Sequence, residues 1–291
     1  MDISLDAVMC KGIHLFPDGI PSETAYNEIL GTPLFKQMEI YSDEFIRSYK
    51  HLLLEYSAKW VADPFHQWSR QWEYPFVATR VHQFIEDCPS ARILDAGSGI
   101  TFFPYFISQH YADSCVVACD QDDAIGRLFA SVNRFSPRPV NFTLGDIRSL
   151  PFENDSFDLI YSVSVLEHTT SREHAISEFA RILKPGGKLV VTFDISLDGL
   201  GEISILGAGE MLDSLAQRFL LPRHGGHDLD HQLTSCSLLT TKSAEVASSR
   251  LLPWKKPSLV KRIKSRLLNT HIPAWLPVLT VFCITLEKRS D

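Results

Sequence analysis

Apolar and aromatic positions between Lys36 and Asp87 recur at three- and four-residue spacing: Phe45, Tyr49, Leu52, Leu53, Tyr56 and Trp60, then Trp68, Trp72, Phe76, Val77, Val81 and Phe84. That period is helical and predicts two or three helices, with Pro64 and Pro75 as breakers. From Ala91 the rhythm changes. Short apolar runs near 92–95, 115–119, 140–144, 158–163 and 187–193 alternate with helical stretches near 102–110, 122–133 and 172–183. Such alternation predicts a parallel sheet with helices on both faces. Two more strands are expected near 243–250 and 277–287. The stretch 194–240 exceeds a plain connection and carries a helical run at Glu210–Phe219, which suggests a cap. Residues 1–34, with Pro17, Gly19, Pro21, Gly31 and Pro33, read as an irregular packed lead-in.

The chain has 291 residues and a 45% hydrophobic content, enough for a large core. Its formal charge of -7 gives no overall reason to bind nucleic-acid phosphates, so no nucleic-acid partner is expected. The scattered cysteines, two of them in the run Cys115–Cys119, suit reduced core thiols. Asp2 and Asp6, with no long apolar run beside them, resemble neither a secretory signal nor a transit peptide. Ile272 to Leu286 holds two prolines and is too short to span a bilayer. The expectation is a cytoplasmic protein without a transmembrane segment.

The chemistry concentrates where the first strand, Arg92 to Asp95, runs into Ala96-Gly97-Ser98-Gly99, and where Asp120 ends the second. Glycines let a backbone turn approach a ligand closely, and an acid on the neighbouring strand can accept ribose hydroxyls. A dinucleotide oxidoreductase shares these two features, but the turn lacks the third glycine of its fingerprint, Ile100 following Gly99, and its site has no use for the further acid Asp146. Taken singly, Asp95 and Gly97 could cap a helix, and Asp120 and Asp146 could be solvated strand-end or turn acids.

The sequence continues with Leu150-Pro151-Phe152, then Phe157-Asp158, Ser162 to His168, and Leu183-Lys184-Pro185-Gly186-Gly187. Over roughly 90–195 it resembles the class I S-adenosylmethionine (SAM)-dependent methyltransferases with "LPF…FD" and "LKPGG" signatures. The resemblance implies an α/β doubly wound, Rossmann-like seven-stranded sheet. It divides the chain into an N-terminal lead-in and helical cap (1–88), a SAM-binding core (89–195), a cap insertion after the fifth strand (196–242) and C-terminal strands completing the sheet (243–291). It implies that Asp95, Ala96, Gly97, Ser98 and Gly99 shape the turn for the methionine part of SAM. Asp120 would accept the ribose hydroxyls, and Gln121, Asp146 and the Ile147 amide would meet the adenine. Ser162 and Val163 would border the sulfonium, and Arg70 or Tyr74, in the cluster Ser69 to Pro75, would hold the methionine carboxylate.

His168 follows the fourth strand, and an imidazole there is a candidate catalytic base for a hydroxyl acceptor; a packing or helix-start role is the alternative. Glu167 would orient it or face the cofactor. Trp68, Trp72 and Phe76 read first as core. His224, His227 and His231, with Asp228 and Asp230, match no defined metal motif, so metal binding, an acceptor-pocket role and a solvated loop stay open and no metal ligand is assigned. Lys255, Lys256, Lys261, Arg262, Lys264 and Arg266 beside Leu259, Ile263 and Leu267 read as a solvated helix face, or as a peripheral contact with anionic lipid or a phosphorylated acceptor through 255–266. The expected activity is methyl transfer from SAM to a small-molecule substrate, first to an oxygen of a natural product, sugar or glycoconjugate. Nitrogen or carbon transfer, an NAD-dependent oxidoreductase and a non-catalytic binding module are the alternatives.

Overall fold

A computed structural model describes residues 15–59, 63–222, 228–234, 237–252 and 277–289. Four helices come first: α1 (Glu23–Ile29), α2 (Pro33–Tyr49), α3 (Leu54–Lys59) and α4 (Arg70–Asp87). There follow β1 (Arg92–Ala96), α5 (Phe103–His110), β2 (Cys115–Asp120), α6 (Asp123–Asn133), β3 (Asn141–Leu144) and β4 (Phe157–Val163). A 3₁₀ turn, Leu166–His168, leads to α7 (Arg172–Ile182) and β5 (Leu183–Ser196). The chain ends with α8 (Ile205–Arg218), β6 (Phe219–Leu220), α9 (Leu229–Leu233), α10 (Thr241–Ala247) and β7 (Leu279–Lys288).

The strands form one seven-stranded sheet in the order β3-β2-β1-β4-β5-β7-β6, with β1 to β5 parallel and β7 antiparallel to both β5 and β6. This is the doubly wound α/β arrangement expected from the alternation. Successive strand residues face opposite sides. Ile93 and Ala118 join one core cluster with α4, α5 and α6, while Leu94 and Val117 join the other with α7 and α8. The strand order reverses at β1 and β4, and the carboxyl ends beside that reversal are where open α/β sheets take ligands.

The signature segments hold this frame. Asp158 accepts the Arg92 amide at 2.9 Å and the Lys184 ammonium at 2.7 Å, tying the start of β1 to β4 and β5. The pairing of β4 with β5 then jumps from Phe157↔Leu183 to Leu159↔Lys188, so Lys184 to Gly187 bulge out of the ladder, with Gly186 at φ +74°. Arg181 on α7 donates to the carbonyls of Leu150 (3.0 Å) and Phe152 (2.7 Å) and so straps the Leu-Pro-Phe stretch to its helix.

Two expectations need correction. The segment 243–250 is not a strand: it is α10 followed by a 3₁₀ turn at Ser249–Leu251. Thr240 and Ser243 exchange hydrogen bonds between side chains and amides (2.9 and 3.2 Å), a capping box that starts a helix where a strand was expected. The outer strand is instead the short β6, just after α8. Pro75 does not break its helix, since it sits inside α4. A proline in a helix interior costs about 3 kcal/mol. That loss is offset because α4 is buried on nearly all sides, through Trp72, Phe76, Val77 and Val81, against β4, β5 and β7.

A further correction concerns the lead-in expected to be irregular: Glu23–Ile29 is the helix α1, capped by the Ser22 hydroxyl, which accepts the Ala25 amide at 3.1 Å, while residues 15–22 run along the outer edge of β7. Gly19 exchanges backbone hydrogen bonds with Cys283 (2.6 and 3.0 Å), and Asp18 accepts the Thr285 amide at 2.8 Å. A covered edge cannot pair with another chain. Phe16 from this strap meets the Trp72 ring at a centroid distance of 5.2 Å. Trp68 and Trp72 are core residues, as their spacing suggested. Met1–His14, Trp60, His224, His227 and the basic stretch 255–266 lie outside the described residues. Among the described residues, no helix is long and apolar enough to cross a membrane.

Trp72→Ala empties the space between the strap and the sheet. It should cost about 3–5 kcal/mol in urea unfolding, and a loss below about 1 kcal/mol would show that Trp72 is not a keystone of this face.

Candidate functional site

The turn after β1 is fixed by its neighbours. The amides of Gly97 and Ser98 both donate to the Cys119 carbonyl, at 2.9 and 3.0 Å, and the Gly99 amide donates to Asp120 Oδ2 at 2.9 Å. Both glycines adopt positive φ, +80° at Gly97 and +51° at Gly99. A Cβ on Gly97 would stand 2.6 Å from a Val165 methyl, and one on Gly99 would stand 2.6 Å from the Tyr56 hydroxyl. Only glycine serves at Gly97. Asp120 also accepts the Asp122 amide through Oδ1 at 3.0 Å, while its carbonyl accepts the Gly145 amide at 2.9 Å. It therefore joins the turn after β1 to the loop after β3.

Asp95, Asp120 and Asp146 all act on the Cys119 thiol, which burial, reinforced by these charges, pushes up to about 12. Asp95 is buried, and burial, with repulsion from Asp120, pushes its carboxyl up to about 8 against the lowering contact with Tyr161. Asp146 behaves differently. Arg148 donates to it from its amide (2.9 Å) and from the guanidinium (2.6 to 3.1 Å), which holds its carboxyl below the usual range. Its acceptor capacity is taken up by that arginine, a partner the sequence did not suggest. Gln121 is exposed beside Asp120, and Ile147 is buried next to Asp146. Ala96 and Ser98 are buried in the turn itself.

At the end of β4, the fully buried Ser162 gives its hydroxyl to the Ala96 carbonyl at 3.0 Å. It fastens β4 to β1 and has no proton left to donate; Val163 beside it is half-buried. Arg70, at the start of α4, is engaged by Glu73 and by the Ser164 hydroxyl, the latter at 2.6 Å. Tyr74 is buried, stacked on Phe103 with centroids 4.7 Å apart and meeting Phe102 edge-on. Tyr56, read in the sequence only as a helical apolar position, lies over Gly99. Its hydroxyl meets the Ile100 backbone, and burial pushes it up to about 12.

His168 ends the 3₁₀ turn after β4, and its Nδ1 lies 2.6 Å from Glu202 Oε2, with both side chains more than half exposed. Glu202 comes from the loop after β5 and carried no signal in the sequence. Asp194 was also missed, although a lone acid closing an apolar strand is the same sign that marked Asp120. Of the three histidines near 224–231 only His231 is described; it is exposed on α9, with its amide bonded to Asp228.

Residues 94–191 match the family described as "Methyltransferase domain". Over this stretch the chain is similar to methyltransferases. Among similar curated proteins are a malonyl-(acyl-carrier protein) O-methyltransferase of Herminiimonas arsenicoxydans, 30% identical over 39% of this chain and 41% of that protein, and a demethylmenaquinone methyltransferase of Renibacterium salmoninarum, 36% identical over 35% and 41%. A tRNA U34 carboxymethyltransferase of Pseudoalteromonas atlantica is 25% identical over 73% of this chain and 65% of its own length. In each case the chain spans less than two thirds of the relative.

The cofactor of this family fits the residues present. The lack of a Cβ at Gly97 and Gly99 lets Val165 and Tyr56 close on the turn, so its backbone is held in one shape beside the Asp120 carboxylate. Each carboxylate oxygen has about two acceptor sites, and Asp120 spends one on Gly99 and one on Asp122, leaving one per oxygen for a vicinal diol.

The raised Asp95 carboxyl has a consequence for stability. The folded chain keeps that proton up to about pH 8, whereas an unfolded aspartate releases it near 3.8, so stability falls as pH rises across this window. Asp95→Asn should flatten the fall of the urea midpoint between pH 4 and 8; an unchanged slope would show that Asp95 ionises freely in the fold.

Proposed function

We propose that this chain transfers a methyl group from SAM to an oxygen of a small molecule, a natural product, sugar or glycoconjugate. The observation that carries the reading is the clamped glycine turn at the strand reversal, with Asp120 offering one free acceptor site on each carboxylate oxygen. In this reading the turn from Asp95 to Gly99 receives the methionine part, Asp120 the ribose, and Gln121, Asp146 and Ile147 the adenine, with Arg148 giving way if Asp146 is to accept from the amino group. Val163 and Ser162 border the sulfonium, Ser162 through its packing. Arg70 and Tyr74 line the methionine end, Arg70 already neutralised by Glu73.

SAM supplies a methyl group on a positively charged sulfur, so the demand on the protein is chiefly alignment of the acceptor. A neutral hydroxyl must also lose its proton. His168 supports that role: Glu202 can hold the Nδ1 proton, which leaves Nε2 as the acceptor, the same orienting logic as a base held by a carboxylate in hydrolases. The lack of a third glycine after Gly99 and the acid at Asp146 argue against a dinucleotide site. The formal charge of -7 favours a small acceptor over tRNA.

Calorimetry tests the cofactor directly. SAM should bind and NAD should not, and Asp120→Ala should weaken SAM about 10- to 100-fold through the lost charged hydrogen bonds; NAD binding alone would reassign the site, and binding of neither would leave only a folded relic. His168→Gln should keep SAM affinity and lower turnover on a hydroxyl acceptor about 10²-fold or more. Glu202→Gln should lower it less, with an altered pH profile. Unchanged turnover in both removes the pair from the mechanism.

A further inference from the structure

Between the ends of β4 and β5 lies a buried charged cluster that the His168–Glu202 pair does not use. Its centre is Arg70. Glu73, fully buried, pairs with it through Oε2, while Glu73 Oε1 accepts the hydroxyls of Ser164 at 2.6 Å and Thr192 at 2.5 Å. Ser164 in turn accepts from Arg70, and it sits at φ +49°, a left-handed conformation that turns its hydroxyl into this network. Glu73 and Arg70 thus satisfy each other.

Glu167 and Asp194 are left over. Glu167 is 3% exposed, and its Oε1 accepts the Asp194 amide at 3.2 Å. Its Oε2 is buried with no hydrogen-bond partner among the described residues, and so is Asp194 Oδ1. The two carboxylates repel each other, Arg70 being the cation that faces both and the His168 ring facing Asp194, with Glu73 adding to the repulsion. Burial pushes the Glu167 carboxyl up to about 7, and burial and Glu167 push Asp194 up further from its usual range. Three acids against one half-buried guanidinium, with two dry unpaired oxygens, is a costly arrangement for stability alone.

The cluster also borders the cofactor turn. Val165, two residues before Glu167, fills the space that a Gly97 side chain would need. Glu167 follows the carboxyl end of β4 and Asp194 lies near that of β5, the edge of the sheet at which, on the reading of the preceding section, the transferable methyl group faces its acceptor.

We propose that Glu167 and Asp194 form a subsite for an ammonium group carried by the acceptor. The substrate class is then an amine-bearing hydroxyl compound, such as an amino alcohol or amino sugar. The ammonium donates to Glu167 Oε2 and Asp194 Oδ1 and supplies the missing positive charge. The hydroxyl is thereby directed toward His168. This inference rests on the SAM reading and narrows it.

Sinefungin, which carries an ammonium-bearing carbon where SAM has its sulfonium and methyl, probes the subsite without knowledge of the acceptor. Calorimetry would compare sinefungin, SAM and S-adenosylhomocysteine on wild type, Glu167→Gln and Asp194→Asn. The expected result is a sinefungin affinity lowered about tenfold or more in each variant, a smaller loss for SAM and none for S-adenosylhomocysteine, whose sulfur is neutral. Equal losses for sinefungin and SAM would mean that the carboxylates only sense cofactor charge, and equal changes for all three ligands, or none, would mean that they face elsewhere; either result overturns the subsite while leaving the cofactor site intact. If both variants fail to fold, the pair is structural and the proposal falls. Absent S-adenosylhomocysteine binding by wild type would instead sink the SAM reading, and this inference with it.

Discussion

The hydrogen bond from the Gly99 amide to Asp120 Oδ2, with the Gly97 and Ser98 amides on the Cys119 carbonyl, is the constraint on which the site depends. It closes the turn after β1 onto the end of β2, and it does so with donors that a wider turn would leave unpaired. Positive φ at Gly97 and Gly99 follows from that closure, and the shape left beside Val165 and Tyr56 follows from having no Cβ there. The carbonyl of Asp120 carries the same restraint onward to Gly145 and the third strand. One acidic residue thus sets the distance between two loops, and its carboxylate keeps acceptor capacity to spare.

Around that fixed turn the protein places its charges unevenly. In the loop after β3 Asp146 is matched by Arg148, an exposed pair screened by solvent and worth little to stability. On the opposite side the buried Glu73 and Glu167 and the half-buried Asp194 share one half-buried guanidinium, that of Arg70. Burial raises carboxyls that lack partners and leaves those with partners ionised, so the two sides differ in what they can offer a ligand. Asp120, between the two sides, suits a neutral diol, and the second side suits a cation. The helix α4 is what makes the second side possible, because it brings Arg70 and Glu73 under the ends of β4 and β5 while Trp72 and Phe76 anchor it in the core.

Much of the central sheet was legible in the sequence because each strand there is a short apolar run and each crossover a helical one, so a local period reported a nonlocal layer. The outer edge was not. β6 is two residues long, too short for any period, and the Thr240–Ser243 capping box turned an expected strand into a helix. Pro75 misled for a related reason: its cost is local, while the burial that offsets it comes from the whole sheet. In the site, the residues of the turn and the acids after β1, β2 and β3 stood out because they close apolar runs. Tyr56, Arg148 and Glu202 did not, since each acts through a contact that only folding creates. Arg70 and Ser162 were singled out for reasons that the geometry redirects: one guanidinium nitrogen is bound to Glu73 and Ser164, and the serine hydroxyl to Ala96.

The central claim is that Asp120 holds an adenosyl ribose against the turn it clamps. A crystal structure with S-adenosylhomocysteine tests it most directly. Both ribose hydroxyls should lie within hydrogen-bonding distance of the Asp120 carboxylate while Gly99 keeps its bond to Oδ2. A nucleoside bound elsewhere, or one in place with its ribose turned away from Asp120, would contradict the account.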